Sequence, residues 1–117
     1  NFETNEEYKN TLKNLDFLFS NLKTTADIPA VVSKLNNVNK ELFFPLMQDL
    51  FLTCLNGEKK FEKPLTMLID VTFNKKALAK CIPLIGEAYK KQMSNVNFGY
   101  ILDNLLFNIL KEKFLCK

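Results

Sequence analysis

Residues 40–57 read KELFFPLMQDLFLTCLNG, a largely apolar run that ends in a strong helix stop. Gly57 can adopt the left-handed conformation that follows many helices without a steric penalty, so Asn56–Gly57 indicates the end of a helix. Pro45 has no backbone N–H and crowds the carbonyl of residue 41, so we expect a break or kink near it. The stretch therefore predicts a long helix at about 40–55.

Apolar residues recur every three or four positions on both sides of this stretch, which is the spacing of one buried helix face. Asp27 and Pro29 suit the N-cap and the first turn of one of these helices, and Asn74 suits the N-cap of another. The predicted helices span about 5–23, 28–37, 75–93 and 98–115.

Residues 65–73, LTMLIDVTF, fit two kinds of structure. Every second residue from Leu65 is apolar, as in a strand, whereas another set falls on one face of a helix: Leu65, Leu68, Ile69 and Phe73. A lone strand would have no partner elsewhere in this chain, so we favour a helix. We therefore predict an all-α single domain over residues 1–117, a four-helix bundle with one or two additional short helices.

The composition limits what the chain can do. Its 117 residues are enough for one modest core, and no uncharged apolar run reaches the ~18–20 residues of a membrane span. There are sixteen lysines but no arginine and no histidine, so no side chain titrates near neutral pH without a perturbation. The chain begins with Asn1 rather than Met, which fits a mature chain whose leader has been removed, although a trimmed chain would begin in the same way.

Three cysteines, Cys54, Cys81 and Cys116, allow one disulfide bond. If neighbouring long helices run antiparallel, all three lie toward the same end of the bundle. Cys81 and Cys116 are then offset by roughly 10 Å along their helices, beyond the ~7 Å between Cα atoms that a disulfide spans. We therefore predict a Cys54–Cys116 disulfide that staples the C-terminus, and a free, buried Cys81. Cys81–Cys116 becomes reachable if the last residues unwind, and three reduced cysteines would fit an intracellular protein.

The sequence has no pattern that is typical of catalysis, of a metal site or of nucleic-acid binding. A cysteine nucleophile needs a base, which histidine would normally supply, and the aspartates are scattered without a local pair. Closely spaced zinc ligands and a glycine-rich phosphate loop are lacking as well. The net charge is only +3, and the lysines are spread over the predicted helices without arginine or interleaved aromatic residues. We expect a non-enzymatic protein with no cofactor and no nucleic-acid partner.

The most polar stretch, NGEKKFEKP at residues 56–64, is the predicted protein-binding site. Phe61 lies there among Lys59, Lys60 and Lys63, and an aromatic residue in an exposed loop can anchor an interface. The lysines would steer an acidic partner toward it. The alternative is that Phe61 folds back onto the core.

A small helical carrier of a fatty or aromatic ligand is the alternative function, and an intracellular helical adaptor is the third. The chain contains eleven phenylalanines, and those at helical positions would line either a ligand cavity or a filled core. A filled core is the more common outcome for the six that fit the helical pattern: Phe43, Phe44, Phe51, Phe73, Phe98 and Phe107.

The chain is short and helical, lacks glycosylation sequons, has a predicted staple near its C-terminus and opens with the polar stretch NFETNEEYKN at residues 1–10. In these features it resembles the small anopheline salivary family that includes albicin and anophensin. The likeness extends over the whole chain but contains no motif that would transfer binding residues. The resemblance implies a secreted, extracellular salivary protein that serves immune evasion as an inhibitor of the alternative complement pathway. Its partner would be a host protein complex, the C3 convertase.

Overall fold

Six α-helices make up the computed structural model, which describes residues 2–116 and, for side chains, residues 6–116. The helices are α1 Phe2–Asn21, α2 Ile28–Lys34, α3 Lys40–Asn56, α4 Lys63–Thr72, α5 Lys75–Met93 and α6 Phe98–Leu115. Four of them are long, α2 and α4 are short, and residues 2–116 contain no strand. The all-α prediction and the helical interpretation of residues 65–73 are confirmed. None of these helices has the length together with the apolar character that crossing a bilayer requires.

The helix boundaries follow capping residues in the sequence. Asn39 begins α3 by accepting two backbone N–H groups of its first turn, at 3.0 and 3.1 Å, and Asn74 begins α5 by accepting one at 2.8 Å. Gly57 ends α3 with a φ of 71°, in the left-handed region that the sequence predicts. The helix runs through Pro45 without a break. The one backbone hydrogen bond that proline cannot donate would go to the carbonyl of residue 41, which lies in the exposed first turn.

Asp27 acts differently from the prediction that its side chain caps α2. Its carboxylate accepts the backbone N–H groups of Lys23 and Thr24, at 2.8 and 2.9 Å, so it closes the turn that precedes the helix. The backbone hydrogen bond from Thr24, and to a smaller extent the one from Lys23, holds the pKa of the Asp27 carboxyl below its usual value. The residue therefore orients α2 relative to the end of α1.

The core is organised around α3. This helix packs most extensively against α5 and also contacts α1 and α4, whereas α6 lies against α5 and α2. Two clusters of buried phenylalanines join these elements. One consists of Phe19, Phe51 and Phe73, and the other of Phe43, Phe44 and Phe98. Within each cluster the ring centroids of neighbouring residues are 5.1–6.0 Å apart. Five of the six phenylalanines expected in the core are buried, whereas Phe107 is half exposed.

The N-cap residue of α5, Asn74, and its first residue, Lys75, bind the ends of two other helices. The Lys75 ammonium donates to the carbonyl oxygens of Cys54 and Leu55 at the end of α3, at 2.8 and 2.9 Å. The Asn74 amide donates to the carbonyl oxygen of Cys116, just beyond α6. A cation at a helix C-terminus satisfies orphan carbonyls and complements the helix dipole. Asn74 and Lys75, here called the C-terminal clamp, thus hold α3 and α6 at one end of the bundle.

The predicted Cys54–Cys116 disulfide is not formed, and all three cysteines are free, buried thiols. The Cys54 thiol donates toward the Thr66 carbonyl oxygen on α4, at 3.9 Å, whereas the Cys116 thiol points toward Glu112 on its own helix, at 3.8 Å. The ends of α3 and α6 do meet the same end of the bundle, as the topology predicts. The prediction went wrong because α5 separates these helices along most of their length, so the two sulfur atoms face different neighbours.

Replacing Lys75 with methionine removes both hydrogen bonds of this clamp residue while keeping a long apolar side chain. We expect the free energy of unfolding to fall by about 1 kcal/mol, the magnitude typical of a cation at a helix C-terminus. The neighbouring exposed Lys76 provides the matched control, and Lys76→Met should change stability by less than about 0.5 kcal/mol. Urea unfolding followed by circular dichroism measures both variants, and equal losses would contradict the role of Lys75.

Candidate functional site

Phe61 is not the exposed anchor that the sequence predicts for the α3–α4 loop. Its side chain is only 8% exposed and belongs to the continuous hydrophobic core. Burying a phenylalanine side chain is worth about 1.5–3 kcal/mol, which outweighs the preference of a short polar loop to stand in water. The alternative considered for this residue is therefore correct, and Phe61 fastens the loop instead of presenting an aromatic ring.

The three lysines of the predicted site do not act as one group. Lys60 forms an ion pair with Asp49 on α3, at 2.7 Å, and this hydrogen bond raises the pKa of the Lys60 ammonium. Lys59 and Lys63 are exposed, and neither makes an ion pair within residues 6–116. Of these three lysines, Lys59 and Lys63 are therefore left exposed without an ion pair among the described residues.

The outer face of α4 places apolar side chains next to these two lysines. Met67 is 52% exposed and Val71 is 79% exposed, and the two lie one helical turn apart. Valine has a lower helix propensity than alanine, so Val71 does not favour the helix. Its side chain is exposed, so it also contributes little to the core. We define the α4 surface as Lys59, Lys63, Met67, Asp70 and Val71.

A depression of about 350 Å³ adjoins this α4 surface, whose residues other than Val71 contribute to its lining. Its floor includes Phe61 and Cys54, and its rim includes Lys59, Lys63 and Met67. A neighbouring partner could place a side chain in it, since an apolar floor with a polar rim is the usual anatomy of a protein interface. The arrangement provides a concave contact area with charged residues at its edge.

The sequence contained the signal for this surface. Among residues 65–73, the helical interpretation assigns Leu65, Leu68, Ile69 and Phe73 to one face and so leaves Met67 and Val71 outside it. The loop attracted the prediction because it is more polar. Polarity, however, only indicates exposure, whereas neighbouring exposed apolar residues that form a patch are the feature that marks interaction sites.

The two most deeply placed thiols are held protonated. Burial, assisted by the charge of Glu112, raises the pKa of the Cys81 thiol to about 12. Burial, assisted by the charge of Asp70, raises the pKa of the Cys54 thiol to about 11. Since the thiolate is both the nucleophile and the metal ligand, these two cysteines are poorly suited to either role. Within the part of the chain whose side chains are described, no group of three or more His, Cys, Asp and Glu side chains is placed to hold a metal ion.

Comparison with known proteins adds no neighbour from which a function could be transferred: no protein-family model, no curated protein and no solved structure matches this chain.

The raised pKa of Cys81 predicts a loss of stability in alkali. The unfolded thiol titrates near 9.0, whereas the folded thiol keeps its proton to about 12. The free energy of unfolding contributed by this group is therefore complete below pH 9 and falls as the pH rises toward 12, on the order of 1 kcal/mol per pH unit. Cys81→Ala should be somewhat less stable at pH 7 but should show a shallower decline above pH 9. Urea unfolding between pH 7 and 10.5 measures both slopes, and identical slopes would sink this assignment.

Proposed function

We propose that this chain is a non-catalytic protein-binding protein that contacts its partner through the α4 surface. The observation that carries the proposal is the pair Met67 and Val71, both more than half exposed, one turn apart and beside a depression of about 350 Å³. Methionine adapts its shape at contact surfaces, and adjacent exposed apolar residues with a polar rim are typical of protein interfaces.

The charges around the α4 surface revise the expected partner. Lys59 and Lys63 are offset by Glu58, Glu62 and Asp70, all exposed nearby. With Lys60 neutralised by Asp49, this corner of the molecule carries mixed charge and not a basic patch. A strongly acidic partner is therefore not favoured, and we propose a partner with an apolar contact patch and a mixed polar rim.

The carrier function receives less support from the structure. The buried phenylalanines pack ring against ring, so they fill the core between the helices. A depression of about 370 Å³ between α1 and α4 has charged residues along its wall, Lys9, Lys13, Asp16 and Glu62. Leu12, Pro64 and Leu65 also give this depression an apolar wall, but it is open at the surface, whereas a site for a fatty or aromatic ligand buries most of the ligand.

Export from the cell and inhibition of the C3 convertase form the specific case of this proposal, and they rest on the resemblance to the anopheline salivary family. The disulfide, which favoured export and was one feature of the resemblance, is not formed, so the remaining features of the resemblance carry the extracellular location alone. In this case the protein would act on its host complex by occupying a surface, since a rigid helical scaffold can block a neighbouring site without any reaction.

Complement inhibition predicts slower lysis of erythrocytes in serum whose classical pathway has been blocked by chelation. We expect slowing at micromolar protein, and we expect Met67→Glu and Val71→Glu to lose most of it, because each places a charge in the apolar centre of the contact. Met93→Glu is the matched control, since Met93 is 60% exposed at the end of α5, away from the α4 surface. Lysis at the untreated rate with the unsubstituted protein would remove the complement assignment, and equal effects of all three substitutions would remove the α4 surface.

Thiol alkylation tests the state of the cysteines on which the location depends. Unfolding in a denaturant that contains iodoacetamide but no reductant should add three labels per chain, because Cys54, Cys81 and Cys116 are unpaired. Without denaturant, labelling of Cys54 and Cys81 should be slow, since both are buried and protonated. Intact mass spectrometry counts the labels. A single label on protein isolated from its source would show a disulfide and would restore the argument for export.

A further inference from the structure

Three aromatic residues form a line on the outer side of α6. Tyr100, Phe107 and Phe114 are 63%, 50% and 48% exposed and are spaced by seven residues, so they lie on one side of the helix. The line, here called the α6 stripe, extends over about 21 Å at the helical rise of 1.5 Å per residue. Phe107 was expected in the core, but the inner side of α6 is already filled by aliphatic residues such as Leu105, Leu106 and Ile109.

Charged residues flank the α6 stripe symmetrically. Asp103 lies four residues before Phe107, and Lys111 lies four residues after it. Both are exposed, and neither is joined in an ion pair within residues 6–116. The aromatic residues follow the same symmetry, since Tyr100 and Phe114 are each seven residues from Phe107.

We propose that the α6 stripe is a homodimer interface, in which α6 of a second copy packs antiparallel and the two-fold axis passes by Phe107. In this arrangement Phe107 meets Phe107, and Tyr100 meets Phe114 of the second copy, as offset or edge-to-face aromatic pairs. Asp103 lies at the level of Lys111 of the second copy, so two equivalent ion pairs form across the axis. The surface is thereby self-complementary in charge and in the order of its aromatic residues.

A parallel arrangement of the two helices is disfavoured by the same charges. It would place Asp103 beside Asp103 and Lys111 beside Lys111, and like charges across an interface are repulsive. An unrelated protein partner would need no symmetry in the sequence about Phe107. The symmetric order of opposite charges thus favours a second copy as the occupant of this surface.

A depression beside the α6 stripe offers a place for a side chain of the second copy. It has a volume of about 350 Å³ and is lined by Tyr100, Asp103 and Phe107 together with Ile28 and Pro29 of α2. In the antiparallel dimer, Phe114 of the second copy lies at the level of Tyr100, at the edge of this depression. The ring can enter it and so bury apolar surface on both copies.

Dimerisation through α6 is independent of the proposed binding through α4. The helix α4 packs against α1 and α3, whereas α6 packs against α5 and α2. A dimer therefore leaves the α4 surface of each copy accessible and presents it twice, which would raise the apparent affinity for a partner with repeated sites.

Sedimentation equilibrium of the full chain over about 1 µM to 1 mM protein tests the dimer. The weight-average mass should rise with concentration from the 13.6 kDa of one chain toward twice that value. Phe107→Glu should give a single-chain mass at every concentration, since it places two carboxylates at the axis. Val71→Glu changes an exposed apolar residue on α4 in the same way and should leave the dissociation constant unchanged.

A charge exchange tests the antiparallel geometry without touching an apolar residue. Asp103→Lys alone and Lys111→Asp alone should each weaken the dimer by about tenfold, because each replaces two attractive pairs by two repulsive ones. The double variant Asp103→Lys with Lys111→Asp should return to the affinity of the unsubstituted chain. A single-chain mass for the unsubstituted protein throughout the range overturns the proposal, as does a double variant that fails to recover or a Val71→Glu variant that dissociates.

Discussion

The burial of α3 on nearly all sides is the constraint on which the rest of the structure depends. Its phenylalanines at 43, 44 and 51 are fully buried, and each contributes about 1.5–3 kcal/mol by leaving water. A helix that is apolar around most of its circumference must be surrounded, so α1, α4 and α5 pack on it directly and Phe98 of α6 reaches it at one end. The same demand draws Phe61 out of the α3–α4 loop and into the core. The position of α4, and with it the orientation of its exposed face, is therefore a consequence of covering α3.

The C-terminal clamp shows how two helix ends are joined without a covalent bond. A disulfide stabilises mainly by restricting the unfolded chain, whereas Asn74 and Lys75 act only in the folded state, through carbonyl groups that would otherwise lack donors. The clamp works because α5 starts at the point where α3 and α6 end. Few side chains have to be ordered for it, since the Asn74 side chain caps α5 and binds the end of α6 at the same time.

Among the side chains that the structure describes, the α4 surface and the α6 stripe both expose apolar residues, and they differ in kind. The α4 surface joins a short apolar pair to mixed charges around a depression, which is the composition of an interface with a different protein. The α6 stripe is longer, aromatic and symmetric in charge about Phe107, which suits a second copy of the chain. In the proposed dimer, one molecule would use both surfaces, since α4 packs mainly on α1 and α3 whereas α6 packs mainly on α5 and α2. An interaction protein built this way would be bivalent without an internal repeat.

The sequence alone determined the bounds of α3, α5 and α6 to within one residue, because caps, the Asn56–Gly57 stop and the spacing of apolar residues act locally along the chain. The bounds of α1 and α2 were predicted less well, at about 5–23 and 28–37, whereas these helices are Phe2–Asn21 and Ile28–Lys34. It also determined the all-α class and that α3 and α6 end at the same end of the bundle. Only the tertiary structure decided which side chains of similar character are covered. Phe61 was expected outside and is buried, Phe107 was expected inside and is half exposed, and Cys54 faces α4 instead of Cys116. The physical reason is common to all three residues. Periodicity fixes the direction of a side chain relative to its own helix, but burial depends on which other helix occupies the space in that direction, and that is settled by packing the whole chain around α3.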